Sequence, residues 1–272
     1  MAVGGQDRAV WYTGRMSEPM IATAVLRIQM PLRLLAVGLF VVALPLFLIS
    51  TNVRLIVNWP RLYSNGFDKY DIPSRTGIER PELILAGEQI RDYFNNDDEL
   101  IDFRIVVGGI LRSLFNSREI LHMKDVKGLV QGVYTLQLLS GLYVAAFVVA
   151  RLALAWRTFP RQLVRYLAYG GGLTVGLVAL AGAATTVDFE EVFNAFHVVS
   201  FSNDLWQLDP SRDYLIAMFP ESFFFDATMW IAGLTIAQAV ALTVPRALLR
   251  WGPGRLSAHR GVLTADSAST AS

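Results

Sequence analysis

The 272-residue chain has no cysteine and only three histidines. Without a thiol it forms no disulfide and has neither a cysteine nucleophile nor a thiolate ligand for zinc. It also lacks a G-x-S-x-G elbow, so nothing in the sequence supports a covalent acyl-enzyme on serine. Charge is scarce: Asp, Glu, Lys and Arg make up 17% of residues, where soluble domains carry about 25%. The scarcity is local. The windows 34–53, 128–150, 166–187 and 227–245 contain no Asp, Glu, Lys, Arg or His. At about 1.5 Å per residue, each is long enough to cross a hydrocarbon core of roughly 30 Å. The sequence therefore predicts an α-helical integral membrane protein with four transmembrane helices. Nucleic-acid binding, a soluble Rossmann enzyme and a secreted disulfide module become poor readings. Pumps and proton-coupled carriers keep ionisable groups at membrane depth, which disfavours transport.

The charges outside the windows are partitioned. Segments 1–33, 151–165 and 246–272 together hold 12 basic and 3 acidic residues. Segment 51–127 holds 11 and 12, and segment 188–226 holds 1 and 8. Positive charge stays on the cytoplasmic side. The expected protein is thus a multi-pass cell-membrane protein with both termini cytoplasmic and the outer loops 51–127 and 188–226 on the extracytoplasmic face. Residues 1–30 read as a cytoplasmic arm with no cleavable signal peptide. Residues 31–250 read as the membrane domain, and 251–272 as a disordered cytoplasmic tail. The first span is expected from Pro31, the second over Leu129–Leu154, the third from Tyr166 and the fourth over Ala227–Leu249. In the third, Gly170-Gly171-Gly172 either packs against a neighbour or lines a lipid-sized groove.

The first outer loop is too long for a connector and is expected to fold as a small cap, mostly helical with some β structure. Pro81-Glu82 opens an amphipathic helix through about Phe94. Residues 103–110 read as a strand interrupted by Gly108-Gly109. Asn116 with Glu119 forms a capping-box pattern, starting a helix that runs into the second span. In the second loop, Asp188 with Glu191 is another cap pattern. Asp209-Pro210 reads as an N-cap followed by proline at the first helical position. The loop's aromatics, Phe201, Trp206 and Phe223-Phe224-Phe225 among them, suit an interfacial belt or a wall for acyl chains.

Of the three histidines, His259 lies in the tail and reads as inert. His122 and His197 lie in the outer loops, each near the mouth of a span. Glu119, His122 and Asp125 share one helical face. His197 is flanked by Glu190, Glu191 and Asp204. A carboxylate beside an imidazole sets its tautomer and raises its basicity. The residues alone leave three readings open: acid–base catalysis, a metal site and structure. Zinc takes three or four ligands, and no motif supplies them, so no metal or cofactor is expected.

At these histidines the sequence resembles the lipoprotein intramolecular transacylase (Lit) family of bacterial four-span membrane proteins, over roughly residues 32–250. The motifs run from Ser117 through Glu119, His122 and Asp125 to Lys127; from Phe196-His197 through Phe201-Ser202-Asn203-Asp204-Leu205-Trp206 to Asp209-Pro210; and from Asp213 through Pro220-Glu221 to Phe224. The resemblance implies a membrane acyltransferase. It would move the sn-2 acyl chain of a diacylglyceryl-cysteine lipoprotein to that cysteine's own α-amine. The implied partners are the modified lipoprotein N-terminus and membrane lipid, with no nucleic acid. His122 and His197 match the family's two functional histidines and would share the acid–base work. Glu119 and Asp125 are expected to orient His122, and Asn203 or Trp206 to hold the ester carbonyl or head group; Asp209 is a further supporting position. The alternatives are a non-enzymatic family member acting in envelope assembly or partner binding, and a metal protein built on the histidines and their carboxylates. The enzyme and metal readings both need His122 and His197 to meet, although two whole spans separate them in sequence. Oligomeric state stays open.

Overall fold

The structure, a computed structural model, describes residues 18–102 and 104–251. Most of the N-terminal arm, the tail expected to be disordered, and His259 lie outside the described residues. The chain divides into two compact units, Met1–Leu39 and Phe40–Ser272. Helix α1 (Glu18–Val57) enters both. Its apolar span begins at Met30, next to the expected Pro31, and the helix extends upstream of it into the residues read as the arm.

Four helices are long and apolar enough to span a membrane: α1 within Met30–Val57, α5 (Ser117–Ala155), α6 (Phe159–Val187) and α9 within Glu221–Arg246. Leu139, Leu154 and Leu180 are strongly exposed on them, as lipid-facing side chains must be. Within the second unit these helices meet through small residues. A Cβ on Gly171 of α6 would lie 2.7 Å from the Ala239 carbonyl of α9, and one on Gly170 would lie 2.7 Å from Leu44 of α1. Close packing therefore occupies the Gly170-Gly171 face. A polar tie crosses the same bundle: the buried Asn52 amide donates to Thr235 Oγ1 (2.9 Å) and Gln238 Oε1 (2.8 Å) of α9.

Between α1 and α5 lie α2 (Pro60–Lys69), α3 (Ile72–Thr76), α4 (Arg80–Phe94) and a hairpin of β1 (Arg104–Val107) and β2 (Ile110–Ser113). The α4 helix occupies the predicted place, and the expected strand proves to be one arm of a hairpin. Gly108 and Gly109 make its two-residue turn with φ of 60° and 78°, a conformation L-residues with side chains disfavour. Ile105 and Val107 face inward from β1. They join Phe67, Ile72, Leu83 and Ile90 in an apolar core that also takes Met123 of α5 and Met218, Phe219 and Phe223 from the second loop and α9. One core thus joins the two loops. Gly66 permits the contact, since a Cβ there would sit 2.5 Å from the Phe223 ring.

Helix α5 has 39 residues. At about 1.5 Å each they span nearly twice a hydrocarbon core of roughly 30 Å. Part of the surplus is the first three turns, which carry Arg118, Glu119, Lys124, Asp125 and Lys127. Lys124 pairs with Glu99, and Lys127 donates to Asn96 Oδ1 and the Asp98 carbonyl. Met123 in these turns joins the apolar core of the loops, with Ile120 and Val126 packed against it.

Candidate active site

The capping box at the start of α5 is complete. The Asn116 side chain accepts from the backbone N–H groups of Arg118 and Glu119, and the Asn116 N–H donates to Glu119 Oε2 at 2.8 Å. One turn further along, His122 is buried. On the other side of the site α7 (Phe189–Ser200) starts with Asp188 Oδ1 accepting from the Glu191 N–H, as the sequence predicts. Near the end of α7 lies His197, also buried.

The two imidazoles meet, with ring centroids 6.2 Å apart. Phe201 stands against both, at 5.1 Å from His122 and 5.7 Å from His197. Phe193 and Trp206 lie 4.3 and 5.0 Å from the His197 ring. The aromatics of the second loop therefore wall the histidines and strip water from them. Burial, the largest cause, pushes both imidazoles below their ordinary range, His122 to about 4. For His122 the nearby His197 adds to the effect and Asp125 opposes it; for His197 the Phe193 carbonyl and Glu221 oppose it. Both rings are neutral at physiological pH.

Their hydrogen bonding differs. His197 Nδ1 lies 2.7 Å from the Phe193 carbonyl. A carbonyl only accepts, so Nδ1 carries the proton and Nε2 is the free basic nitrogen. His122 Nδ1 is buried with no hydrogen-bond partner among the described residues.

The supporting residues resolve differently from the sequence expectation. Glu119 does not orient His122: its two oxygens accept from the backbone N–H groups of Asn116 and, at 2.6 Å, of Leu215. It clamps the second loop to the head of α5. Asn116 does the same through Asp213 Oδ1 (2.8 Å), Arg118 through the Asp204 carbonyl, and Asp125 through Asn203 Nδ2 (2.9 Å). Asn203 is thus held to Asp125, while Trp206 stacks on His197. Asp209 starts no helix. Its carbonyl accepts from Arg212 and Asp213, its carboxylate accepts from Ser211 and pairs with Arg212, and α8 (Tyr214–Met218) begins only after Asp213. Sequence reasoning missed Asp213 and Leu215 as anchors, because their partners lie about a hundred residues away. Among the described residues no group of three or more His, Cys, Asp or Glu is placed to hold a metal ion.

A family model described as lipoprotein intramolecular transacylase Lit matches residues 38–224. The chain belongs to the Lit family. The match contains both histidines and the whole clamp around them. An uncharacterized protein of Aquifex aeolicus (strain VF5) is 26% identical over 161 residues, 59% of this chain and 69% of its own. The in meso structure of the membrane integral lipoprotein intramolecular transacylase Lit from Bacillus cereus superposes with a TM-score of 0.66 at 19% identity. It covers 79% of this chain and 95% of that one. A histidine-to-arginine variant of that protein gives the same TM-score over 87% and 99%. At this identity the likeness is one of fold. The chain therefore shares the Lit membrane architecture.

Proposed function

We propose that this Lit family member transfers the sn-2 acyl chain of a diacylglyceryl-cysteine lipoprotein to the α-amine of the same cysteine, using His197 and His122 as the proton-handling pair. The observation that carries this reading is the convergence of two buried imidazoles, 6.2 Å apart, with different hydrogen bonding. Aminolysis of an ester needs a deprotonated amine and a protonated leaving oxygen. His197 presents a basic Nε2 and takes the first proton from the ammonium. The amine nitrogen then bonds to the sn-2 carbonyl carbon. As the carbon–oxygen bond to glycerol breaks, the second nitrogen proton reaches the departing oxygen through His122. The proton left on His197 returns to water. The products are an amide and a free sn-2 hydroxyl. Donor and acceptor sit on one molecule, which supplies their proximity. No acyl-enzyme is needed, consistent with a chain that has no cysteine. In this reading both termini are cytoplasmic, and the site lies at the extracytoplasmic surface, where the aromatic wall of α7 and the second loop receives acyl chains from the bilayer.

The test is expression in a bacterial strain that lacks lipoprotein N-acylation, followed by mass spectrometry of lipoprotein N-termini. The intact chain is expected to yield the N-acyl lyso form. His122→Ala and His197→Ala are each expected to lower its yield at least ~100-fold while the protein remains in the membrane. An intact chain that leaves lipoproteins diacylated sinks the proposal. Full activity in either variant sinks the assignment of the pair.

A further inference from the structure

The start of α9 lies alongside α7. Phe189 meets Phe225 at 5.4 Å and Phe193 meets Phe224 at 5.2 Å. One turn onward along α7 from Phe193 is His197. One turn back along α9 from Phe225 is Glu221, the first residue of that helix. Glu221, three and four residues before Phe224 and Phe225, shares their helical face toward α7, and its negative charge opposes the effect of burial on the His197 ring. Glu221 is half-buried, yet its carboxylate makes no hydrogen bond or ion pair with any described residue. Its neighbours are occupied. Asp226, on the next turn of α9, is engaged by Lys69 and Tyr70, and Asp125, Asp213 and Glu119 are used in the clamp. A half-buried, unengaged carboxylate near a neutral imidazole lacks a cation.

We propose that Glu221 binds the α-ammonium of the N-terminal cysteine and presents it to His197. The inference rests on the transacylase reading. A carboxylate acting on an imidazole that itself lies against Phe193 and Trp206 suits a primary ammonium, through a charge-assisted hydrogen bond and cation–π attraction. Glu221 serves only as the counter-ion. It holds the ammonium while His197 Nε2 removes one proton, and it loses its counter-ion once the nitrogen becomes an amide. The product is thereby released from the subsite that held the substrate.

The experiment uses the purified full chain in detergent and two unreactive diacylglyceryl-cysteine peptides with an ether-linked sn-2 chain, one with a free amine and one N-acetylated. The wild-type chain is expected to bind the free-amine peptide about tenfold more tightly. Glu221→Gln is expected to bind both peptides equally, with its affinity for the N-acetylated one unchanged, and Glu221→Asp to keep part of the preference. A merely structural role would weaken both peptides together, and that result overturns the proposal, as does a preference that survives in Glu221→Gln or is absent from the wild type. Failure of the transacylase reading is read separately, as an intact chain that produces no lyso form in cells.

Discussion

An imidazole packed among phenyl and indole rings has little solvation with which to accept a proton. That is the condition of His122 and His197. Each binds its proton more weakly in the folded protein than in the unfolded chain, whose histidines titrate near 6.5. At pH below about 6.5 the unfolded state therefore takes up protons that the folded state refuses. The stability linked to this pair is fully present above about 6.5 and is lost as pH falls toward the His122 value of about 4. The groups around the pair are Asp125 and Glu221, which favour protonation, and Arg118, which opposes it. The thermal unfolding midpoint in detergent is expected to fall between pH 7.5 and 5. His122→Phe, which keeps an aromatic ring and removes the titrating group, is expected to flatten that fall. An unchanged slope in the variant would contradict burial as the origin of the shift. The histidines were legible in the sequence because they are rare and close to carboxylates. The different states of their ring nitrogens were not, since one depends on a carbonyl orientation and the other on the absence of a partner.

At the scale of elements, the site is held by short polar ties rather than by the helices' own packing. Glu119 is 1% exposed, and its carboxylate accepts one N–H from its own helix and one from Leu215, 96 positions away. Replacing it by Gln keeps the size but turns an N–H donor toward a backbone N–H. The expected cost is about 1–3 kcal/mol, read as earlier thermal unfolding and faster proteolysis within 201–213. Those residues carry Phe201 and Trp206, so their release should also expose the imidazoles. Half of this device was legible: an Asn followed three residues later by Glu announces a capping box, because the bond is local. The other half was not, since nothing in the sequence marks Leu215 as the partner. Asp209-Pro210 shows the converse. A good N-cap pair folded into a turn because Asp213, committed to Asn116 and the Asp209 N–H, sets where α8 begins. Helices α2 and α3 escaped notice because both are short, and the core they serve is contributed largely by residues far off in sequence.

At the scale of the whole molecule, the governing fact is the separation of charge from the four apolar windows. The same windows read from the sequence reappear within four long helices, on which Leu139, Leu154 and Leu180 face outward. The buried polar groups Asn52 and Thr235 bond to each other, and Asn52 also to the exposed Gln238, so no ionisable group is required at depth. Orientation then rests on the arginines. Segment 151–165 has four of them and no acid, while the loops bearing the histidines are acidic or balanced. In the proposed orientation these guanidinium groups stay on the cytoplasmic side during insertion, and every other element follows. A chain without cysteine makes this directly testable, because a single introduced thiol is the only one present. Asp97 and Arg161 are both exposed. In intact spheroplasts a membrane-impermeant maleimide is expected to label Asp97→Cys at once, and Arg161→Cys only after permeabilisation. The opposite pattern would place the histidine pair at the cytoplasmic surface. There it could not meet lipoprotein N-termini exposed on the outer face, and the proposed reaction would have no substrate.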